Sequence, residues 1–475
     1  MNKKIMMCSF AACFLTGCGS EIEPVEQTLI QPAFEDVSVH DPSVIYADGS
    51  YYAIGSHLGF AKTEDLMAWE ILSENVPKNT LFEDVYSELE ESFVYAQTST
   101  LWASSIIQLE DGKYYLYYCA CEGSSPLSTL GVAVADTIEG PYRDLGVFLT
   151  SGTVDTEGDT FDGTTEPNVI DPHVFFDKNN QLWMVYGSYS GGIFILEMDN
   201  QSGLPKEEQG YGTKLLGGNH SRIEAPYMLY NPTTDYYYLF VTYGGLDASG
   251  GYNMRVARSK NPDGPFVDSE NQDMIDAKGA EGSFFDDLSI EPYGAKLMGN
   301  FQFNDVGALE RDGYVSAGHN SAYYDEAEGK YFLLFHARFP GYDEYHEVRV
   351  HQLFFNSEGW PIVAPLRYAG ETIAKYNENQ IIGNYKFVNH GKEITSEVKM
   401  AQSVQLDKGG NITGEFSGKW EMEGSAVTVT VDGIAYDGLF ISQWDDFQEK
   451  QTMAFTGMSD EGVSLFGIQY DEQNE

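Results

Sequence analysis

One pattern of apolar and polar positions recurs five times along the chain. A small or acidic start leads into a hydrophobic run. A turn rich in Asp, Gly or Asn follows, and an aromatic-rich run completes the unit. The copies are HDPSVIYADGSYYAIGS from His40, WASSIIQLEDGKYYLYYCA from Trp102, IDPHVFFDKNNQLWMVYGS from Ile170, EAPYMLYNPTTDYYYLFVTYG from Glu224 and GHNSAYYDEAEGKYFLLFHAR from Gly318. Each copy predicts two strands joined by a tight turn. Further strands are predicted at Gly192–Met198 and Met254–Ser259. A β unit repeated at this scale builds blades around an axis, so the pattern predicts an all-β fold: a five-bladed β-propeller over residues 31–372. The repeat ends near Arg367–Gly370. Beyond it, WEMEGSAVTVTVDG, AYDGLFISQW and TMAFTGMS read as short alternating strands with Gly turns. They predict a separate, small C-terminal β-barrel or sandwich over residues 378–475. Its obvious candidates for an aromatic sugar platform are Trp420 and Trp444, for which packing is an equal expectation.

Composition supports this picture and adds a location. The 475 residues include 32 Tyr, 28 Phe and 49 Gly, as suits aromatic-rich strands between tight turns. The net charge of −46 disfavours nucleic acid, an anionic membrane surface and a polyanionic substrate as partners, and is compatible with a neutral polymer. At the N-terminus, Asn2-Lys3-Lys4 is followed by a short apolar run from Ile5 to Leu15, too short for a stable membrane span. Leu15-Thr16-Gly17-Cys18 then resembles a bacterial lipobox. Residues 1–17 are therefore expected to be a lipoprotein signal peptide, with 18–30 a linker and Cys18 the site of a lipid anchor. That anchor is the expected tie to a membrane, and it places the mature chain outside the cytoplasm. A monomer is expected. Of the five cysteines, Cys119 and Cys121 then stay in the fold, two apart on one predicted strand and facing the same side. They read as two buried thiols or as a strained disulfide.

Candidate chemistry comes from what heads the five inner strands. In a propeller these strand starts converge on one cavity at the axis. The first copy starts at Asp41, the third at Asp171, the fourth at Glu224, the second at Trp102 and the fifth at His319-Asn320. An acidic residue before Pro commonly caps a turn. Three carboxyls at equivalent repeat positions suggest more. Glycoside hydrolysis needs one carboxyl that keeps its proton for the leaving oxygen and one that is ionised, to activate water or attack carbon. Crowding acids in a desolvated pocket separates their proton affinities. Trp102 supplies an aromatic face on which a sugar ring can pack.

These residues resemble the family 43 glycoside hydrolases, and within them the two-domain extracellular endo-α-1,5-L-arabinanases. The segments that carry the resemblance are HDPS (40–43), NVIDPHVFFD (168–177), LWMVYGSYSGGIFILEMD (182–199), RIEAPY (222–227), GHNS (318–321) and EYHEVRVHQL (344–353). The resemblance implies an inverting hydrolase of internal α-1,5-L-arabinofuranosidic bonds, acting on plant cell-wall arabinan or arabino-oligosaccharides. It implies that Asp41 is the general base, Glu224 the general acid, and Asp171 the group that tunes and orients the acid. It implies that His319 holds a metal, usually calcium, although calcium prefers oxygen ligands. Asn168, Ser188, Ser190 and His220 would line the sugar subsites, and Trp102 and Gly123 would reach the same cleft. Arg222 and Arg338 would bond sugar hydroxyls or pair with acids.

Two other readings stand beside this one. An exo-acting arabinofuranosidase or β-xylosidase would use the same fold with a pocket closed at one end. A non-catalytic sugar-binding lipoprotein would be expected to lack one of the three acids, and all three are present. The NDPNG-like and ECP-like signatures of five-bladed fructosidases are absent. The segments 83–97, 119–129 and 151–168 depart from the family pattern and border the predicted cleft, so they bear on substrate length and branching.

Overall fold

A computed structural model describes residues 31–123, 127–152, 160–304 and 312–471. The leader, Cys18 and the whole linker lie outside them, as do parts of the departing segments 119–129 and 151–168. Residues from Ala33 onward form one compact unit.

Five four-stranded antiparallel sheets are arranged as blades. Their inner hairpins are Ser43–Ala47 with Ser50–Ile54, Ser105–Gln108 with Tyr114–Cys121, His173–Phe176 with Leu182–Tyr186, Ile223–Asn231 with Tyr236–Tyr243, and Val315–Asp325 with Lys330–Arg338. Third strands follow at Phe60–Thr63, Ser128–Ala135, Ile193–Glu197, Asn253–Ser259 and His346–Phe355. The inner strands touch in sequence around the axis, and the fifth returns to the first. The first strand of the fifth blade differs from expectation. It begins at Val315, ahead of His319, and its register shifts twice, between Val315 and Gly318 and between Gly318 and Ser321.

Apolar cores between blades hold the ring. Middle strands such as Tyr114–Cys121 are buried at every position, because each is covered on both faces by neighbouring blades. That explains why they read as unbroken apolar runs rather than as alternations. Tyr52 and Phe60 pack with Leu116 and Tyr118 between blades one and two. Val132 packs with Val174 and Met184 between two and three, and Val185 with Leu239 between three and four. Phe240 packs with Phe335 between four and five, and Leu334 and Val350 pack with Tyr51 and Ala61 between five and one. Truncating one such buried aromatic to Ala costs about 3–5 kcal/mol. The last seam is also hydrogen-bonded: the Val348 amide donates to the Val37 carbonyl at 2.9 Å, and Tyr51 donates to Asp325 at 2.6 Å.

The C-terminal domain is a closed eight-stranded barrel, from Gly383–Asn389 to Ser464–Tyr470. Of the two expected forms, barrel and sandwich, it is the barrel. Tyr385, Phe387, Trp420, Phe440 and Phe455 fill its interior. Trp420 and Trp444 are both buried, so neither offers a sugar platform. Leu439, Ile441, Phe466 and Ile468 of the barrel extend the core between blades four and five. Two buried cations of blade four bind the segment that follows the barrel's first strand. Arg255 donates to the carbonyls of Glu291, at 2.6 Å, and Lys392, and Lys296 donates to those of His390 at 3.1 Å and Glu393 at 2.7 Å.

Candidate active site

All ten residues expected at the site line one cavity of about 320 Å³ at one end of the propeller axis. They are Asp41, Trp102, Gly123, Asn168, Asp171, Ser188, Ser190, His220, Glu224 and His319. Backbone conformation is how the blades deliver them. Asp41 (φ 59°), Asp171 (φ 57°) and His319 (φ 46°) are left-handed, and so is Ala225 (φ 58°), next to Glu224. Ser190 and His220 are left-handed as well. Such φ values are uncommon for residues with side chains and cost about 1–3 kcal/mol each. Here they turn strand-start side chains off the blade face and towards the axis. A register shift between Glu224 and Tyr227 does the same for the fourth blade.

The three buried carboxyls sit in different electrical surroundings. Asp41 Oδ1 lies 2.9 Å from His319 Nδ1, and its Oδ2 lies 2.8 Å from His40 Nδ1 and accepts from the Ser56 hydroxyl. Burial works to raise Asp41, but His319 and His40 outweigh it and hold the carboxyl well below the ordinary 3.8. Burial raises Glu224, and His319 together with the hydroxyls of Ser188 and Tyr252 only partly offsets it. Ser188 donates to Oε2 at 2.7 Å and Tyr252 to Oε1 at 2.8 Å. Burial also raises Asp171, opposed by His319 and reinforced by the charges of Glu224 and Asp41. Asp171 and Glu224 therefore share protons as a pair. Asp171 Oδ2 accepts from the Ala225 amide at 3.2 Å, a donor that cannot reverse. The Ser188 hydroxyl beside Glu224 can turn to accept instead.

Partner residues absent from the sequence expectations complete the site. The Asp41 amide donates to His336 Nδ1 at 3.2 Å, and the His336 ring stacks on His40 with centroids 3.9 Å apart. Burial keeps His336 neutral, well below 6.5. Tyr252, His40, Tyr189, Leu246, Phe284 and Phe285 also line the cavity. Trp102 is fixed by its indole N–H, which donates to the Cys121 carbonyl at 2.8 Å. Gly123 has φ +97°, and a Cβ there would stand 3.4 Å from the Trp102 ring. Asn168 is gripped by Ser128, whose hydroxyl donates to Oδ1 at 2.6 Å. Arg222 and Arg338 pair with acids, Asp287 and Glu344 respectively. Cys119 and Cys121 are buried thiols rather than a disulfide, and burial pushes both up.

The surroundings of His319 suit a cation by charge more than by ligand type. Burial alone would lower His319, but Asp41, Asp171 and Glu224 overcome it and push the imidazole up to about 9. Both oxygens of Asp41 and of Glu224 already have partners. One free imidazole nitrogen is what His319 offers calcium, and water would have to fill the other positions. A second grouping, His40, Asp41 and His336, brings possible ligand atoms within 4.8 Å of one another. Its stacked rings and the amide bond to His336 Nδ1 make it a hydrogen-bonded support for Asp41 rather than a coordination shell.

Comparison with known proteins places the chain in a family. The family Glycosyl hydrolases family 43 matches residues 33–287, and a C-terminal lipocalin-like domain matches 365–467. The chain is 54% identical to extracellular endo-α-(1→5)-L-arabinanase 2 of Bacillus subtilis, covering 96% of this chain and 98% of that one. It is 46% identical to an extracellular endo-α-(1→5)-L-arabinanase of Thermotoga petrophila, covering 93% and 96%. The crystal structure of endo-1,5-α-L-arabinanase from that organism superposes with a TM-score of 0.90 over 93% of this chain and 100% of that one. A family 43 glycoside hydrolase from Bacillus licheniformis, 55% identical, gives the same score over the same shares. A chain with three differently tuned carboxyls at the axis of five blades, alike to these proteins over nearly its whole length, belongs to glycoside hydrolase family 43.

Proposed function

We propose that this chain is an inverting endo-hydrolase of the α-1,5-L-arabinofuranosidic bonds of arabinan. The observation that carries the reading is the electrical separation of Asp41 from Glu224 within one cavity. Similarity to extracellular arabinanases from two bacteria over more than nine-tenths of the chain supports the substrate and an extracytoplasmic location.

Asp41, held ionised, takes a proton from a water molecule as that water adds to the anomeric carbon. Glu224, raised by burial, gives its proton to the departing glycosidic oxygen as the C–O bond breaks. Attack and departure occur on opposite faces, so configuration inverts. Asp171 orients the acid by accepting from the amide of Ala225, the residue next to it in the chain. Trp102 offers a ring face, and Asn168, Ser190 and His220 offer polar groups to the sugar. Calcium is proposed at His319, where it would supply positive charge in place of the imidazole proton. The leader is proposed to end before a lipidated Cys18, so that the enzyme acts as a monomer tethered outside the cell.

The test is to incubate the protein with linear arabinan and size the earliest products while following their anomeric form by NMR. Mixed oligosaccharides released with inverted configuration are expected. Arabinose alone would make the enzyme exo-acting. No hydrolysis of any pentose polymer would favour the sugar-binding lipoprotein. Loss of fatty-acid labelling in Cys18→Ser tests the anchor.

A further inference from the structure

We propose that Phe284 and Phe285, with Leu246, form an apolar shelf that receives arabinofuranosyl units beyond the bond being cut, and so set the preferred chain length. This rests on the arabinanase reading. Phe284 is 67% exposed and Phe285 42% exposed, yet their rings pack together with centroids 4.2 Å apart. Two exposed phenylalanines in contact beside an active site mark a binding surface. Both line the catalytic cavity, so the shelf continues directly from the reacting groups.

The shelf is held on a fixed support. Phe285 is left-handed at φ 58°, a genuine outlier for a bulky side chain. Its amide donates to the His220 carbonyl at 3.3 Å, and its ring meets Tyr189 edge-on at 5.5 Å. Two residues on, Asp287 is clasped by Arg222, whose Nε donates at 3.0 Å. On the other side, the Gly279 amide donates to Ser221 Oγ at 2.7 Å. The rings are thereby presented with little ordering left to occur on binding. Their chemistry suits a neutral furanose chain, whose C–H groups pack on aromatic faces without needing a charged partner.

The experiment compares kcat/KM for arabinohexaose and arabinotriose in the wild type, Phe284→Ala, Phe284→Tyr and Leu288→Ala. Phe284→Ala should lose about five- to tenfold on the hexaose, carried by KM, with the triose changed less than about twofold. Phe284→Tyr should restore the preference. Leu288, in the short helix Asp287–Ile290 that follows, is 78% exposed and lies outside the cavity, so Leu288→Ala should leave the ratio unchanged. Melting midpoints verify folding, and Phe284→Gln replaces any variant that fails to fold. An unchanged hexaose-to-triose ratio in folded Phe284→Ala and Phe284→Gln, with an active parent, overturns the shelf alone. A parent that cleaves neither oligosaccharide overturns the functional reading itself.

Discussion

Replacing Tyr252 with Phe removes one buried hydroxyl and leaves the ring in place. That hydroxyl donates to Glu224 Oε1 at 2.8 Å. Burial, together with the charge of Glu224, holds the phenol well above its ordinary 10, so it stays protonated and donates. A hydrogen bond to a charged group contributes about 1.5–3 kcal/mol. One pKa unit corresponds to about 1.4 kcal/mol. Tyr252→Phe should therefore raise Glu224 by about one to two units, because the lost bond favoured the ionised form. The alkaline limb of kcat/KM against pH, which follows the proton on the acid of the free enzyme, should move upward by that amount. At the same time kcat should fall, since the acid loses half of its hydroxyl support. Stability carries a matching sign. Glu224 is raised above the ordinary 4.5, so its favourable contribution is complete below that pH and is lost as pH climbs through the raised folded value. Tyr252→Phe extends this loss, so the gap in melting temperature from the wild type should widen as pH rises. An alkaline limb that stays put or moves to lower pH would refute the chain from Tyr252 to Glu224 to proton donation.

Other outcomes follow from the same geometry. Glu224→Ala should nearly abolish arabinan hydrolysis but retain far more activity on an arabinofuranoside with a good leaving group, whereas Asp41→Ala should lose both; equal behaviour on the activated substrate would reverse or void the roles. A Cβ on Gly318 would stand 2.4 Å from the Tyr252 ring, so Gly318→Ala should cost about 1–3 kcal/mol in denaturant unfolding and lower kcat at least about tenfold. Chelation should reduce kcat, with calcium restoring it; unchanged activity together with a metal-free mass spectrum would count against an ion at His319.

The convergence of Asp41, Asp171, Glu224, Trp102 and His319 was legible because they stand at matching places in a repeat, and a propeller brings such places to one axis. Tyr252, His336 and Phe284 were not legible, because they lie off the repeated strand start. Tyr252 precedes a third strand, and His336 lies near the end of a second strand, after the apolar run YFLLF. Phe284 and Phe285 occupy an insertion before the outer strand of blade four, Ala295–Met298, with no counterpart in the repeat. The double register shift around Gly318 was equally hidden, since alternation cannot reveal where a strand takes an extra residue. Ser188 was legible as a cavity residue but not as a holder of Glu224, and Arg222 not as the partner of Asp287, because both pairings join residues distant in sequence.

The position of Asp41 at the seam has a consequence for timing. Asp41 belongs to the first blade, while His319 and His336 come from the last, nearly three hundred residues later. Until the fifth blade docks against the first, Asp41 has His40 but lacks both His319 and the His336 ring that receives its amide. An incomplete or still-folding chain thus carries Glu224 and Asp171 but no working base. Hydrolysis therefore requires the closed circle, so activity reports that the fifth blade has met the first.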